Sequence, residues 1–133
     1  MNTPLRYLSL DWIDAVGSRV TADSELQKIG AVVSVGITQV VTNGPEGTII
    51  YHLQVGNNAV SFAAGPSDPE DVRLEQEWET AVDVATGAMT AEDAFIGGSI
   101  RIGGDAQMLL QSQEVFAALD PIFVAVAALT DYR

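Results

Sequence analysis

The eight residues Gly98-Ser99-Ile100-Arg101-Ile102-Gly103-Gly104-Asp105 read as a short strand with a boundary at each end. Ile100 and Ile102 recur at the period of two that places side chains on one strand face. Gly98 and Gly104 permit tight turns on either side, and Asp105 is placed to cap a following helix. Beyond the cap, Ala106, Leu109, Leu110, Phe116 and Ala117 form an apolar helical stripe. Asp120-Pro121 then predicts a fresh helix start, with Leu119 and Val124 as its hydrophobic staple. Upstream, Thr90 and Asp93 resemble a capping box that opens a short helix through Phe95, closed by Gly97-Gly98. A longer helical stretch, 79–86, stops at Gly87, a suitable C-cap.

The N-terminal half has a different texture. Ser9 predicts a helix N-cap, with Leu8 and Ile13 as its staple and Asp11 favourable to the dipole. Ile13, Val16 and Val20 continue at helical spacing over residues 10–20, with Trp12 on the flank, and a weaker helix follows over 25–29. Residues 31–42 are rich in β-branched side chains and run into the turn Asn43-Gly44-Pro45-Glu46-Gly47. Residues 48–55 alternate, with Ile49, Tyr51, Leu53 and Val55 on one face, before a turn at Gly56-Asn57-Asn58 and a strand over 59–64. These three strands predict an antiparallel meander. A loop with two prolines over 65–70 leads into a half-buried strand over 71–78, where Val72, Leu74 and Gln76 oppose Arg73, Glu75 and Glu77. The element order predicts an α+β fold: a five-stranded, mostly antiparallel sheet covered on one face by helices, formed as one domain over residues 1–133.

Charge and composition exclude several roles. The 133 residues carry 6 Lys+Arg against 18 Asp+Glu, a net charge of −12, so a run of phosphates has no basic counterpart and nucleic-acid binding is not expected. No apolar stretch approaches the ~20 residues needed to span a bilayer, so membrane insertion is not expected either. With no Cys and one His, the chain offers neither a thiolate nucleophile nor a good transition-metal site, and no metal or cofactor is assigned. The absence of Cys and of a secretory pattern in residues 1–10 fits a cytoplasmic chain. A homodimer is compatible with the sequence but not fixed by it.

Catalytic signals are thin. His52 is the sole imidazole, and its strand neighbours Ile50 and Gln54 place it on the outward face. Glu75 and Glu77 alternate with Leu74 and Gln76 in the pattern of a solvated face. Asp68, Glu70 and Asp71 lack the spacing of a calcium loop, and Asp105 at the helix start would repel a phosphate at Gly103-Gly104. No catalytic residue is assigned. Bulky apolar residues remain at the helix–sheet junctions: Trp12, Phe62, Trp78, Phe95, Phe116 and Phe123.

The segments Ala85-Thr86-Gly87, Ala94-Phe95 and Gly98 to Asp105 together resemble the sterol carrier protein type-two family of lipid-binding domains. That family shows a Gly, a short helix carrying Ala-Phe, then Gly-x-aliphatic-x-Ile-x-Gly-Asp entering a helix. The layout agrees over nearly the whole chain. The resemblance implies a sheet covered by helices around a tunnel for sterols, fatty acids, acyl-CoA or other lipids. The residues expected to wall such a cavity are Trp12, Val16, Ile37, Leu53, Phe62, Trp78, Val82, Phe95, Ile100, Ile102, Leu109, Leu110 and Phe116.

The implied function is non-catalytic binding or carriage of a hydrophobic small molecule. The −12 charge is a poor field for acyl-CoA and favours a sterol, a steroid or a fatty acid. Arg73 and Arg101 are candidates to meet a carboxylate, unless they face outward from their strands. The alternative is an enzyme or accessory subunit working on a hydrophobic substrate in the same cavity, with His52, Asp83 or Asp93 as acid or base.

Overall fold

In the computed structural model, residues 4–132 are described. The readings that reach into Met1–Thr3 and Arg133 lie outside the described residues. The elements run β1 (Leu5–Arg6), α1 (Leu10–Ala22), α2 (Ser24–Ile29), β2 (Val35–Gly44), β3 (Gly47–Gly56), β4 (Ala59–Ala64), β5 (Val72–Glu77), α3 (Trp78–Thr86), α4 (Ala91–Ile96), β6 (Ile100–Gly104), α5 (Ala106–Gln111), α6 (Gln113–Ala127) and β7 (Thr130–Asp131).

Strands β2 to β6 form one sheet in the order β4-β3-β2-β5-β6. The meander is antiparallel, with Ile37 opposite Leu53 and Leu53 opposite Phe62. The central pair β2–β5 is parallel, with Gln39 opposite Leu74, so the sheet is mixed. The crossover over residues 65–71 makes this possible by carrying the chain back over the outer sheet face. It is held there by Ser67 N–H donating to Thr38 Oγ1 (3.0 Å) and by Gly36 N–H donating to Asp71 Oδ2 (2.8 Å).

One sheet face carries Ile37, Leu53, Val55, Phe62, Val72 and Leu74, all buried, and the helices lie on it. Helix α1 begins where Ser9 Oγ accepts from Trp12 N–H (3.2 Å), and it buries Trp12, Ile13, Val16 and Val20. Thr90 and Asp105 cap α4 and α5 through the N–H groups of Asp93 and Met108, both at 3.1 Å. Gly98 (φ 80°) and Gly104 (φ 81°) adopt the left-handed conformation at the two ends of β6. Removing the cap with Asp105→Ala is expected to cost about 1 kcal/mol, read as a lower urea midpoint at unchanged slope.

Two sequence expectations are corrected. The C-terminal helices divide at Ser112, not at Asp120-Pro121, and α6 runs through Pro121. Proline deprives the carbonyl of Ala117 of its helical donor, but Ala117 and Pro121 are both exposed, so water can serve that oxygen. Val124 is exposed rather than stapled to Leu119, which is buried. The short parallel pair β1–β7 was not expected: Leu5 sits opposite Thr130, and Tyr7 N–H donates to the Asp131 carbonyl (2.9 Å). This pair brings the two ends of the described chain together beside the helical layer.

Candidate functional site

The helices do not fill the space above the sheet. A cavity of about 560 Å³ lies between the inner sheet face and α3, α4, α5 and α6. That is within the roughly 300–1,000 Å³ usual for small-molecule sites. Its floor is formed by Gln39, Tyr51, Leu74, Gln76 and Ile100. Ala81, Val84 and Phe95 approach from α3 and α4, while Leu109, Phe116 and Phe123 approach from α5 and α6. Leu110 and Val124 also line it, yet are 67% and 63% exposed, so its mouth has an apolar lip.

One end is closed by aromatic rings. Tyr7 packs edge-on to Trp12 (centroids 5.1 Å apart) and against Tyr132 (4.9 Å), a contact fixed by the β1–β7 pair. Trp12 stacks parallel to Phe123 at 6.3 Å, and Tyr51 tilts against Phe62 at 5.4 Å. The Trp12 indole N–H donates to Thr130 Oγ1 (3.1 Å), and the Tyr7 hydroxyl donates to the Ala81 carbonyl (3.4 Å). Both polar atoms are thereby committed to the protein frame.

Burial pushes the Tyr51 phenol well above the ordinary 10.0. Burial does the same to Tyr7, reinforced by Tyr51 and Tyr132 nearby. Between pH 10 and these raised values, the unfolded chain releases phenol protons that the folded chain keeps. Stability supplied by keeping these phenols neutral is therefore complete below about pH 10 and is lost as pH rises beyond it. Comparing urea midpoints of the wild type and Tyr51→Phe from pH 9 to 11 is expected to show a shallower decline in the variant. The difference in slope should not exceed about 1.4 kcal/mol per pH unit, the value for one proton.

Six of the expected wall residues come together around this cavity: Trp12, Phe95, Ile100, Leu109, Leu110 and Phe116. Trp78 instead lines a smaller cavity of about 270 Å³ beside Arg6, Glu46 and Ile49. Val16, Ile37, Leu53 and Phe62 lie in the solid part of the core, where α1 packs directly on β4. Val82 is half-buried on α3 and does not reach the larger cavity. Ile102 shares the inner-face parity of Ile100, but it is 41% exposed on the edge strand rather than turned into the apolar interior. Sequence reading missed Gln39, Tyr51 and Gln76 as wall residues. Their signal was present, since each is a polar group at the parity of a buried strand face.

The charged candidates lie elsewhere. Arg73 pairs with Glu70 (3.2 Å) and Arg101 with Glu75 (3.3 Å) on the outer sheet face, so neither arginine meets a ligand in the cavity. The Glu70 carboxyl is held below its ordinary value by hydrogen bonds from Thr38 and Arg73. His52 Nδ1 lies 2.9 Å from the Gly65 carbonyl, under the outer crossover. Neither Asp83 nor Asp93 lines the cavity, whereas Asp120 stands in its wall on α6.

A family model for the SCP-2 sterol transfer family matches residues 13–117, a span holding the meander, the crossover, β5, β6 and most of the cavity wall. The chain belongs to the SCP-2 sterol transfer family. Solved structures agree on the fold. Sterol carrier protein 2-like 2 from Aedes aegypti is 20% identical, with a TM-score of 0.55, over 79% of this chain and 93% of that one. The apo form of sterol carrier protein 2 from Yarrowia lipolytica is 18% identical, with a TM-score of 0.57, over 87% and 94%. The palmitated SCP2L2 from Aedes aegypti is 20% identical, with a TM-score of 0.50, over 77% and 92%. No curated protein matches the chain in sequence. Membership of this family supports lipid or sterol binding and transfer in general terms. No described helix is long and apolar enough to cross a membrane.

Proposed function

We propose that this member of the SCP-2 family is a single lipid-binding domain that carries a hydrophobic small molecule, without catalysis, in the cavity between sheet and helices. The observation that carries this reading is the mainly apolar cavity of about 560 Å³ with an exposed apolar lip at Leu110 and Val124. Burying a ligand there is favourable at roughly 25 cal/mol per Å² of apolar surface, before the cost of immobilising it. Sterols, steroids and fatty-acid-like lipids fit such a volume, and one structural neighbour is a palmitated form.

Native mass spectrometry of the purified chain, with organic extraction of what accompanies it, tests the proposal. The expected result is a bound lipid of defined mass, or uptake of one equivalent of sterol or fatty acid by the stripped chain. A lipid-free mass that persists in the presence of both ligands would overturn it.

A further inference from the structure

The floor of the cavity carries one polar cluster; the other polar side chains of its lining are Tyr7 and Tyr132 at the aromatic end and Gln113 and Asp120 of α6, both exposed. Gln39 on β2 lies directly opposite Tyr51 on β3, and Gln76 on β5 donates through Nε2 to Gln39 Oε1 (3.4 Å). Three polar side chains thus cluster on the inner face of β3, β2 and β5, with Gln76 reaching Gln39 diagonally from its place opposite Val41. Tyr51 is 92% buried, being 8% exposed, and its hydroxyl has no hydrogen-bond partner among the described residues. Among those residues, no sealed side-chain oxygen or nitrogen lacks a partner, so the Tyr51 oxygen is open to the cavity. The amide pair is also incompletely used. Whichever way the two amides are turned, their mutual bond leaves one amino group and one carbonyl free.

A buried hydroxyl without a partner is costly unless something else supplies the bond. A ligand group at this spot would supply it. The charge around the site decides what kind of group. No Lys or Arg lines the cavity among the described residues, and Asp120 contributes a carboxylate to its wall. Arg6, Lys28, Arg73 and Arg101 are engaged in ion pairs with Glu46, Glu25, Glu70 and Glu75 outside it. A carboxylate carried into this space would be desolvated without a counter-charge.

We infer that the Tyr51 hydroxyl and the Gln39–Gln76 amide pair form the polar end of the ligand site. They select a neutral ligand bearing a hydroxyl or carbonyl over one bearing a carboxylate. This rests on the proposed binding role and deepens it by fixing the chemistry and direction of the ligand: polar group on the sheet floor, apolar body towards α5 and α6. The neutral phenol suits both partners, since it donates to a carbonyl and exchanges donor and acceptor roles with a hydroxyl.

The test uses the full lipid-free chain at pH 7 and the neutral dye N-phenyl-1-naphthylamine, displaced by decane, decan-1-ol or decanoate. Tyr51→Phe removes one oxygen that has no hydrogen-bond partner among the described residues, so the fold is retained. The expected result is that Tyr51→Phe weakens decan-1-ol roughly tenfold, the scale of one net hydrogen bond, while decane changes by less than about twofold. Decanoate is expected to bind the wild type at least about tenfold more weakly than decan-1-ol. If Tyr51→Phe weakens decane as much as decan-1-ol, or leaves both unchanged, polar selection is overturned while the cavity reading stands. Decanoate binding as tightly as decan-1-ol also overturns it. Failure of the wild type to bind the dye, the alkane and the alcohol overturns the binding role itself, and this inference with it.

Discussion

Replacing Ile100 with tryptophan is expected to weaken binding of an apolar ligand roughly 60-fold while the chain remains folded. Ile100 lies on the inner face of β6, buried and part of the cavity floor. A larger side chain there has about 560 Å³ of space to enter and need not push the helices off the sheet. A ligand that loses roughly 100 Å² of contact forfeits about 2.5 kcal/mol at 25 cal/mol/Å², which is roughly 60-fold in Kd. In a filled core the same enlargement would cost about 1–3 kcal/mol of stability. Here we expect less than about 1 kcal/mol. Leu109→Trp enters the same space from α5 and is expected to act in the same direction. Calorimetric titration with a sterol or fatty alcohol, alongside urea unfolding, reads both quantities. Unchanged binding in both folded variants would remove the cavity from the ligand-binding role.

The largest loss of stability is expected from Gly17→Val, at about 3 kcal/mol. Helix α1 approaches β4 so closely at Gly17 that a Cβ there would meet the Phe62 carbonyl oxygen, a backbone atom that cannot rotate away. Inserting a side chain lifts α1 from the sheet and exposes Val16 and Val20, both fully buried. It also separates Trp12 from Phe62, whose rings are 6.1 Å apart. Arg19→Val, at an exposed position on the same helix, controls for helix propensity and is expected to stay within about 0.5 kcal/mol of wild type. Equal urea midpoints for the two variants would contradict the close docking of α1 on β4.

Most of the fold was legible because its signals are local. The alternation of Ile49, Tyr51, Leu53 and Val55, the turns at 43–47 and 56–58, and the caps at Ser9, Thr90 and Asp105 lie within a few residues of what they specify. Strand partners are not specified in that way. Nothing near residues 72–77 states that β5 pairs parallel to β2, because the crossover at 65–71 could have led to either sheet edge. The β1–β7 pair is two residues long on each side, too short for any periodicity to show. Pro121 was over-read for a related reason: its cost depends on whether the carbonyl of Ala117 faces water, which the sequence does not state.

The site was legible by half. Residues such as Ile100 and Leu109 show themselves as apolar and inward, but so do Ile37 and Leu53, which pack solidly. Whether an apolar side chain meets another side chain or a void depends on how far α3 to α6 stand from the sheet, a property of the assembled layers. The more specific signal was polar. Gln39 among Val35, Ile37 and Val41, and Gln76 beside Val72 and Leu74, break the apolar parity of their strands at adjacent places on the sheet. A polar group at an inward position requires a partner, and here both amides stand in the cavity wall, where a ligand can supply one.

The binding role is tested most directly by intermolecular nuclear Overhauser effects between an unlabelled fatty alcohol and the methyl-labelled chain. Contacts from the alkyl chain to the methyl groups of Leu74, Ile100 and Leu109, all in the cavity wall, are the expected result. Contacts confined to Ile49 and Ile50 in the smaller cavity, or to the exposed Val32 and Ile96, would contradict it.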